Sequence, residues 1–153
     1  MVLGRGYYFY CTKCKEEHFF YVGVGMLFPM VYKKTVENIK SGKYGKEWKS
    51  FFEKYPNGMI NAYKEVYYCP KCHLAKSQLN LSFYKPLDPN EPEVTDVSYQ
   101  LDFSKYSLVK EYTHICRQCD QNMRNAARNI WLMPVNCPKC GERMTYGGKL
   151  LWD

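Results

Sequence analysis

No run of apolar residues in this chain approaches the ~18 that a membrane helix needs. The opening MVLGRGYYFYCTKC has neither the long apolar stretch nor the cleavage site of a secretory leader. There is no Gly-x-Ser-x-Gly elbow, no kinase signature and no clustered set of carboxylates. Val22-Gly23-Val24-Gly25-Met26 lacks the Gly-Lys-Ser/Thr ending of a phosphate loop and the third glycine of a dinucleotide fingerprint, so it reads as a strand with close backbone packing. Histidine is scarce: His18, His73 and His114 form no His-x-x-x-His or His-x-Glu pattern. These absences point away from membrane, secreted and common catalytic classes, and the expected address is a reducing cytoplasm.

Against that background stand eight cysteines in four Cys-x-x-Cys pairs with none left over: Cys11/Cys14, Cys69/Cys72, Cys116/Cys119 and Cys137/Cys140. Two thiolates three residues apart can face one ion from a tight turn, and two such knuckles complete a tetrahedral site. Eight ligands therefore predict two zinc ions; iron satisfies the same ligands. The gap of seventeen residues between Cys119 and Cys137 lies in the window typical of a zinc site. A redox Cys-x-x-Cys starts a helix after a strand in a βαβ unit, and four pairs flanked by aromatic strands do not fit that context. A catalytic zinc keeps an open position, whereas four thiolates per ion close both sites, so the histidines read as supporting or surface residues. His73, beside Cys72, is the one candidate substitute ligand.

The formal net charge is +7, but two sites of four thiolates and one divalent ion each subtract two, leaving about +3. Residues 1–85 carry fourteen Lys/Arg against six Asp/Glu, residues 86–115 two against six, and residues 116–153 six against three. Two mildly basic modules thus flank an acidic connector. Fifteen tyrosines, eight phenylalanines and three tryptophans exceed what two small ribbons usually bury. Aromatics interleaved with basic residues suit single-stranded nucleic acid. The candidate contacts are Arg5 and Lys13 with Tyr7, Tyr8 and Tyr10 near the first knuckle, and Arg117, Arg124, Arg128 and Arg143 further on. The plainer reading makes the aromatics core and the lysines a solvated surface.

Local patterning predicts strands on both sides of the first knuckle within 7–28. Pro29 opens a helix over 30–41 closed by Gly42, and a second helix over 46–55 stops at Pro56-Asn57-Gly58. Trp48, Phe51, Phe52 and Tyr55 give that second helix one aromatic face, which docks on the ribbon or on another molecule. Strands follow over 62–68 and 79–84, 97–103 and 108–115, with a short helix or a strand over 120–131, helix preferred. Pro86 to Glu93 holds three prolines and three acids and marks the domain boundary. The expected organisation is a module over 1–85 with a helical insertion at about 30–56, an acidic linker over 86–97 and a module over 98–153. Pairing of the first knuckle with the second and the third with the fourth keeps each loop inside one module; a cross-brace of first with third is the rival. Gly141 follows the last ligand where a knuckle takes a left-handed conformation.

On these motifs the chain resembles the zinc-ribbon superfamily. Cys116-x-x-Cys119 with Cys137-Pro138-Lys139-Cys140-Gly141 looks like a complete ribbon, and Cys11/Cys14 with Cys69/Cys72 like one split by an insertion. The chain is also similar to a group of small bacterial double zinc-ribbon proteins that run from a first knuckle through Gly-Val-Gly-Met to a closing Cys-Pro-x-Cys-Gly and Trp-Asp; no activity comes with that likeness. The resemblance implies metal binding residue by residue and nothing about substrate. The expectation is an α+β protein of two four-cysteine ribbons of antiparallel strands, the first with a two-helix insertion, and not an enzyme. It binds nucleic acid or, alternatively, another protein through its aromatic surface, with a metal-dependent hydrolase as the lesser alternative.

Overall fold

The computed structural model describes residues 4–95, 97 and 101–152. Among them the chain forms two α-helices and ten strands in antiparallel sheets: an α+β fold. It divides into two compact units, each built from separated stretches of sequence. The first takes Val24–Ala62 and Leu79–Tyr112; the second takes the segment up to Gly23, Tyr63–Gln78 and the chain from Thr113 onward. This departs from the expected division at 86–97, because each unit draws on chain from both halves.

In the second unit β1 (Gly4–Tyr10) lies between β2 (Glu17–Val22) and β10 (Thr145–Trp152). Its alternation puts Tyr7, Phe9 and then Cys11 inside while Tyr8 and Tyr10 face out, as a pleated half-buried strand requires. A four-stranded sheet follows the order β5 (Leu74–Leu79), β4 (Lys64–Cys69), β9 (Asn122–Asn125), β8 (His114–Ile115). One core serves both sheets: Tyr7, Phe9, Phe20 and Val22 meet Val66, Tyr68, Ile130 and Val135.

The first unit packs α1 (Phe28–Lys40) and α2 (Lys46–Lys54) with a sheet of β3 (Met59–Ile60), β6 (Phe83–Pro86) and β7 (Tyr106–Lys110). Pro29 sits in the first turn of α1, whose Phe28, Tyr32, Thr35 and Ile39 are buried at helical spacing. Nine residues are too few for an isolated helix to hold together in water, so α2 depends on its aromatic face. Phe83, fully buried, meets the rings of Phe52 at 4.9 Å, Phe51 at 5.3 Å and Tyr55 at 6.4 Å. The Trp48 indole donates to the Leu81 carbonyl at 2.6 Å. The face that could have served a partner is therefore spent on this chain's own β6.

Four local expectations change. The stretch 120–131 is not helical: it forms β9 and a 3-10 turn, Ile130–Leu132. Asn125 caps the amide of Ala127 with its side chain, and Tyr67 and Tyr68 of β4 pair with Asn125 and Arg124. Asparagine favours such local bonds over a helix interior. The expected strand over 79–84 is two strands in different sheets, since the Asn80 side chain accepts from both Ser82 amide and hydroxyl and breaks the run. The expected strand over 97–103 falls partly on residues 98–100, outside those described; Phe103–Lys105 is a 3-10 turn. The acidic stretch is not a free connector: the Asn57 amide donates to the carbonyls of Pro89 and Glu91, and Lys40 pairs with Glu93 at 3.2 Å. Asp96 lies outside the described residues.

Candidate metal centres

All four Cys-x-x-Cys turns share one backbone design. The amide of the residue after the second cysteine donates to the carbonyl of the first: Lys15 to Cys11 (2.9 Å), His73 to Cys69 (2.8 Å), Asp120 to Cys116 (2.8 Å) and Gly141 to Cys137 (2.9 Å). That residue is left-handed each time, with φ of 64, 57, 59 and 81°. Only the last is glycine; Asp120 and His73 belong to residue types that tolerate this region better than most. In every pair the first cysteine is buried and the second half-exposed.

The turns do not combine in sequence order. The first joins the fourth, and the second joins the third, a nested arrangement that replaces both the sequential and the cross-braced expectations. Its cause is the sheets. β1 runs into the first turn and pairs with β10, which leaves the fourth, over seven positions from Gly4↔Trp152 to Tyr10↔Thr145. β4 runs into the second turn and pairs with β9, which leaves the third. Each pairing lays two turns side by side.

Within each set of four, the sulfurs lie inside 4.8 Å of one another. Cys11 to Cys140 and Cys14 to Cys137 are both 3.5 Å, and Cys69 to Cys119 is 3.6 Å. A disulfide holds its sulfurs at about 2.05 Å, whereas a tetrahedron with zinc–sulfur bonds of about 2.3 Å has edges of roughly 3.8 Å. The two groups thus have the size and the donor chemistry for a metal ion, and they are the only such groups of cysteine, histidine or carboxylate among the described residues. With the thiols alone, the Cys14 amide and its neighbours draw the Cys11 thiol down to about 7. Burial and then the surrounding thiols push Cys72 up to about 12. A cation removes that conflict.

The outer charges differ between the centres. At the first, Lys13 reaches Glu142 at 3.5 Å and Lys139 reaches Glu16 at 3.3 Å. Each lysine immediately precedes the second cysteine of its turn, and each glutamate stands two residues after it, so the pairs are reciprocal. The Glu16 carboxylate, with the nearby Cys14 thiol, holds the Lys139 ammonium above its ordinary range. At the second centre the positions of the glutamates hold Leu74 and Gln121. Lys71 and Arg117 are exposed there, with no carboxylate partner among the described residues.

The other expected contacts scatter. Arg5 lies in β1 and is half-buried, Arg143 donates to the Asn136 side chain at 3.0 Å, and Tyr7 is core. Tyr8 donates to Glu17 at 2.8 Å on an outer sheet face shared with Tyr10, Phe19 and Tyr21. Arg124 lies 5.8 Å over the Tyr68 ring, and Arg128 is exposed three residues before Trp131, itself 44% exposed. The one sequence signal for exposed Trp131 is its Arg-x-x-Trp spacing from Arg128. No histidine enters either sulfur group: His18 lies in β2, His114 in β8, and His73 Nδ1 meets the Tyr68 hydroxyl at 2.8 Å. No helix among the described residues is long and apolar enough to cross a membrane.

No family model, no curated protein and no solved structure matches the chain. The likeness to zinc ribbons therefore rests on the two four-cysteine groups and the antiparallel strands that carry them.

Proposed function

We propose that this chain is a zinc-stabilised, non-enzymatic nucleic-acid-binding protein of a reducing compartment, whose contact surface surrounds the second centre. Four thiolates per ion leave no open position for substrate or water, which supports an architectural metal. The observation that carries the binding surface is the contrast between the centres: Lys13 and Lys139 are neutralised by Glu142 and Glu16, while Lys71 and Arg117 have no carboxylate partner among the described residues. Unpaired cations on a rigid turn neutralise phosphates without first breaking an ion pair. Exposed Arg128 and Trp131, with Arg124 nearby on β9, extend the same basic and aromatic chemistry. The test is a shift assay on metal-loaded protein with single-stranded and duplex DNA and RNA at two salt concentrations. Affinity should fall linearly with log salt; binding indifferent to salt, or none, refutes the reading.

A second reading has its own observation. The outer face of the β10-β1-β2 sheet carries Tyr8, Tyr10, Phe19 and Tyr21 in mutual ring contact, with Phe19 41% exposed and the nearby charges already engaged by Tyr8–Glu17 and Lys64–Tyr21. An apolar, charge-satisfied face suits a protein partner. Phe19→Ser abolishing a salt-independent complex, with nucleic-acid binding untouched, would favour it.

A further inference from the structure

Beside the second centre lies a cavity of about 240 Å³ to which both edge strands of the four-stranded sheet contribute. Its apolar walls are Leu74 of β5, Ile115 of β8, Met123 of β9 and Pro138 of the fourth turn. Lys76 and Arg117 also line it, both exposed, and among the described residues no acidic side chain does. Ile115 leaves 47% of its surface open to solvent, so the apolar lining is accessible from outside.

We infer that this cavity holds one unstacked nucleobase of a single strand, with the adjoining phosphates on Arg117 and Lys76. The inference rests on the nucleic-acid reading above and sharpens it to single strands. Three features select this occupant. The volume is below the ~300 Å³ at which sites for drug-sized ligands begin, and so suits one ring system. The apolar walls would gain nothing from a bare phosphate or sulfate, while a base buries apolar ring surface against them. The two cations supply positive charge for the phosphates that flank a splayed nucleotide, which a duplex does not present because its bases are stacked and paired.

The experiment compares fluorescence anisotropy of labelled probes of about twelve nucleotides: single-stranded DNA, single-stranded RNA, a duplex of equal length, and an abasic strand with the same phosphates. The wild type should bind base-bearing single strands about tenfold more tightly than the abasic strand. Leu74→Trp, which fills the cavity from β5, and Ile115→Ser, which removes an apolar wall, should each erase that preference and leave abasic and duplex binding unchanged. Arg117→Ala should weaken every probe. Retention of two metal equivalents and of the far-ultraviolet spectrum certifies each variant as folded. Base preference surviving in both cavity variants overturns the inference, as does an acidic aromatic peptide that binds the wild type without displacing a strand and fails to bind Leu74→Trp. A wild type that binds all probes equally sinks the cavity assignment alone; one that binds none sinks the nucleic-acid reading with it.

Discussion

The sulfur of Cys11 stands 3.5 Å from the sulfur of Cys140, across 129 residues of chain. The first and last turns of the molecule thereby share one centre, and the strands on either side of them, β1 and β10, share one ladder. A metal held there would fasten the same two strands that the ladder pairs. Its energetic reach follows from the core, because Cys11 and Cys137 are themselves buried among Phe9, Phe20 and Val22.

Metal uptake should expel protons. The Cys11 thiol titrates near 7, below its ordinary value of 9.0, so its thiolate favours the folded state fully above that ordinary value and loses the advantage as pH falls through about 7. Cys72 is raised to about 12, so without metal its neutral form is the stabilising one, an effect lost as pH rises from 9.0 toward about 12. A metal must displace the proton Cys72 keeps. Calorimetry in buffers of different ionisation enthalpy should find more than one proton released per site, and affinity rising more than tenfold per unit between about pH 6 and pH 8. A pH-independent affinity would contradict this.

The left-handed position after each second cysteine gives a matched pair of substitutions. Gly141→Ala meets no atom within 4 Å, so its cost is backbone alone, about 1–2 kcal/mol. Lys15→Gly relaxes the same strain in the first turn and should stabilise by up to about 1 kcal/mol, part of it offset by the freer unfolded chain. Thermal unfolding of the metal-loaded variants reads both signs.

Phe83 centres the helical unit. Phe83→Ala should cost about 3–5 kcal/mol by leaving a cavity beneath Phe51, Phe52 and Tyr55. Gly58→Ala would place a methyl 2.3 Å from the Phe83 ring and should cost about 1–3 kcal/mol. Because all eight cysteines belong to the other unit, both variants should still carry two metal equivalents by elemental analysis. Loss of metal in either would tie the two units together.

The charge contrast predicts unequal lysines. Arg117→Ala and Lys71→Ala should each reduce the slope of log affinity against log salt by about one. Lys13→Ala should change it little, since Glu142 already holds that charge, and should cost under about 1 kcal/mol of stability as an exposed ion pair. Equal effects at Lys13 and Arg117 would remove the argument for the second centre as the contact surface.

What was legible in the sequence was local. Four turns were readable because the Cys-x-x-Cys spacing closes within five residues, and α2 because Trp48, Phe51, Phe52 and Tyr55 repeat at helical spacing. The partnering of turns was not, since the four are chemically interchangeable and the choice is made by β1 meeting β10 at the two ends of the chain. Thr145-Tyr146-Gly147-Gly148 also resembles a turn more than a strand; yet a Cβ on Gly147 would come 2.4 Å from the Tyr8 ring, so the glycine there makes room for the neighbouring strand. The prolines of the acidic stretch mark a boundary by local pattern, but Asn57, far away in sequence, fastens it.

Metal content of paired cysteine variants, measured by native mass spectrometry, tests the nested centres most directly. The double variant Cys11→Ser/Cys140→Ser should keep one zinc, because both changes fall on the same centre, and Cys11→Ser/Cys69→Ser should keep none. The reverse outcome, with none in the first and one in the second, would mean that the turns pair in sequence order and would contradict the account.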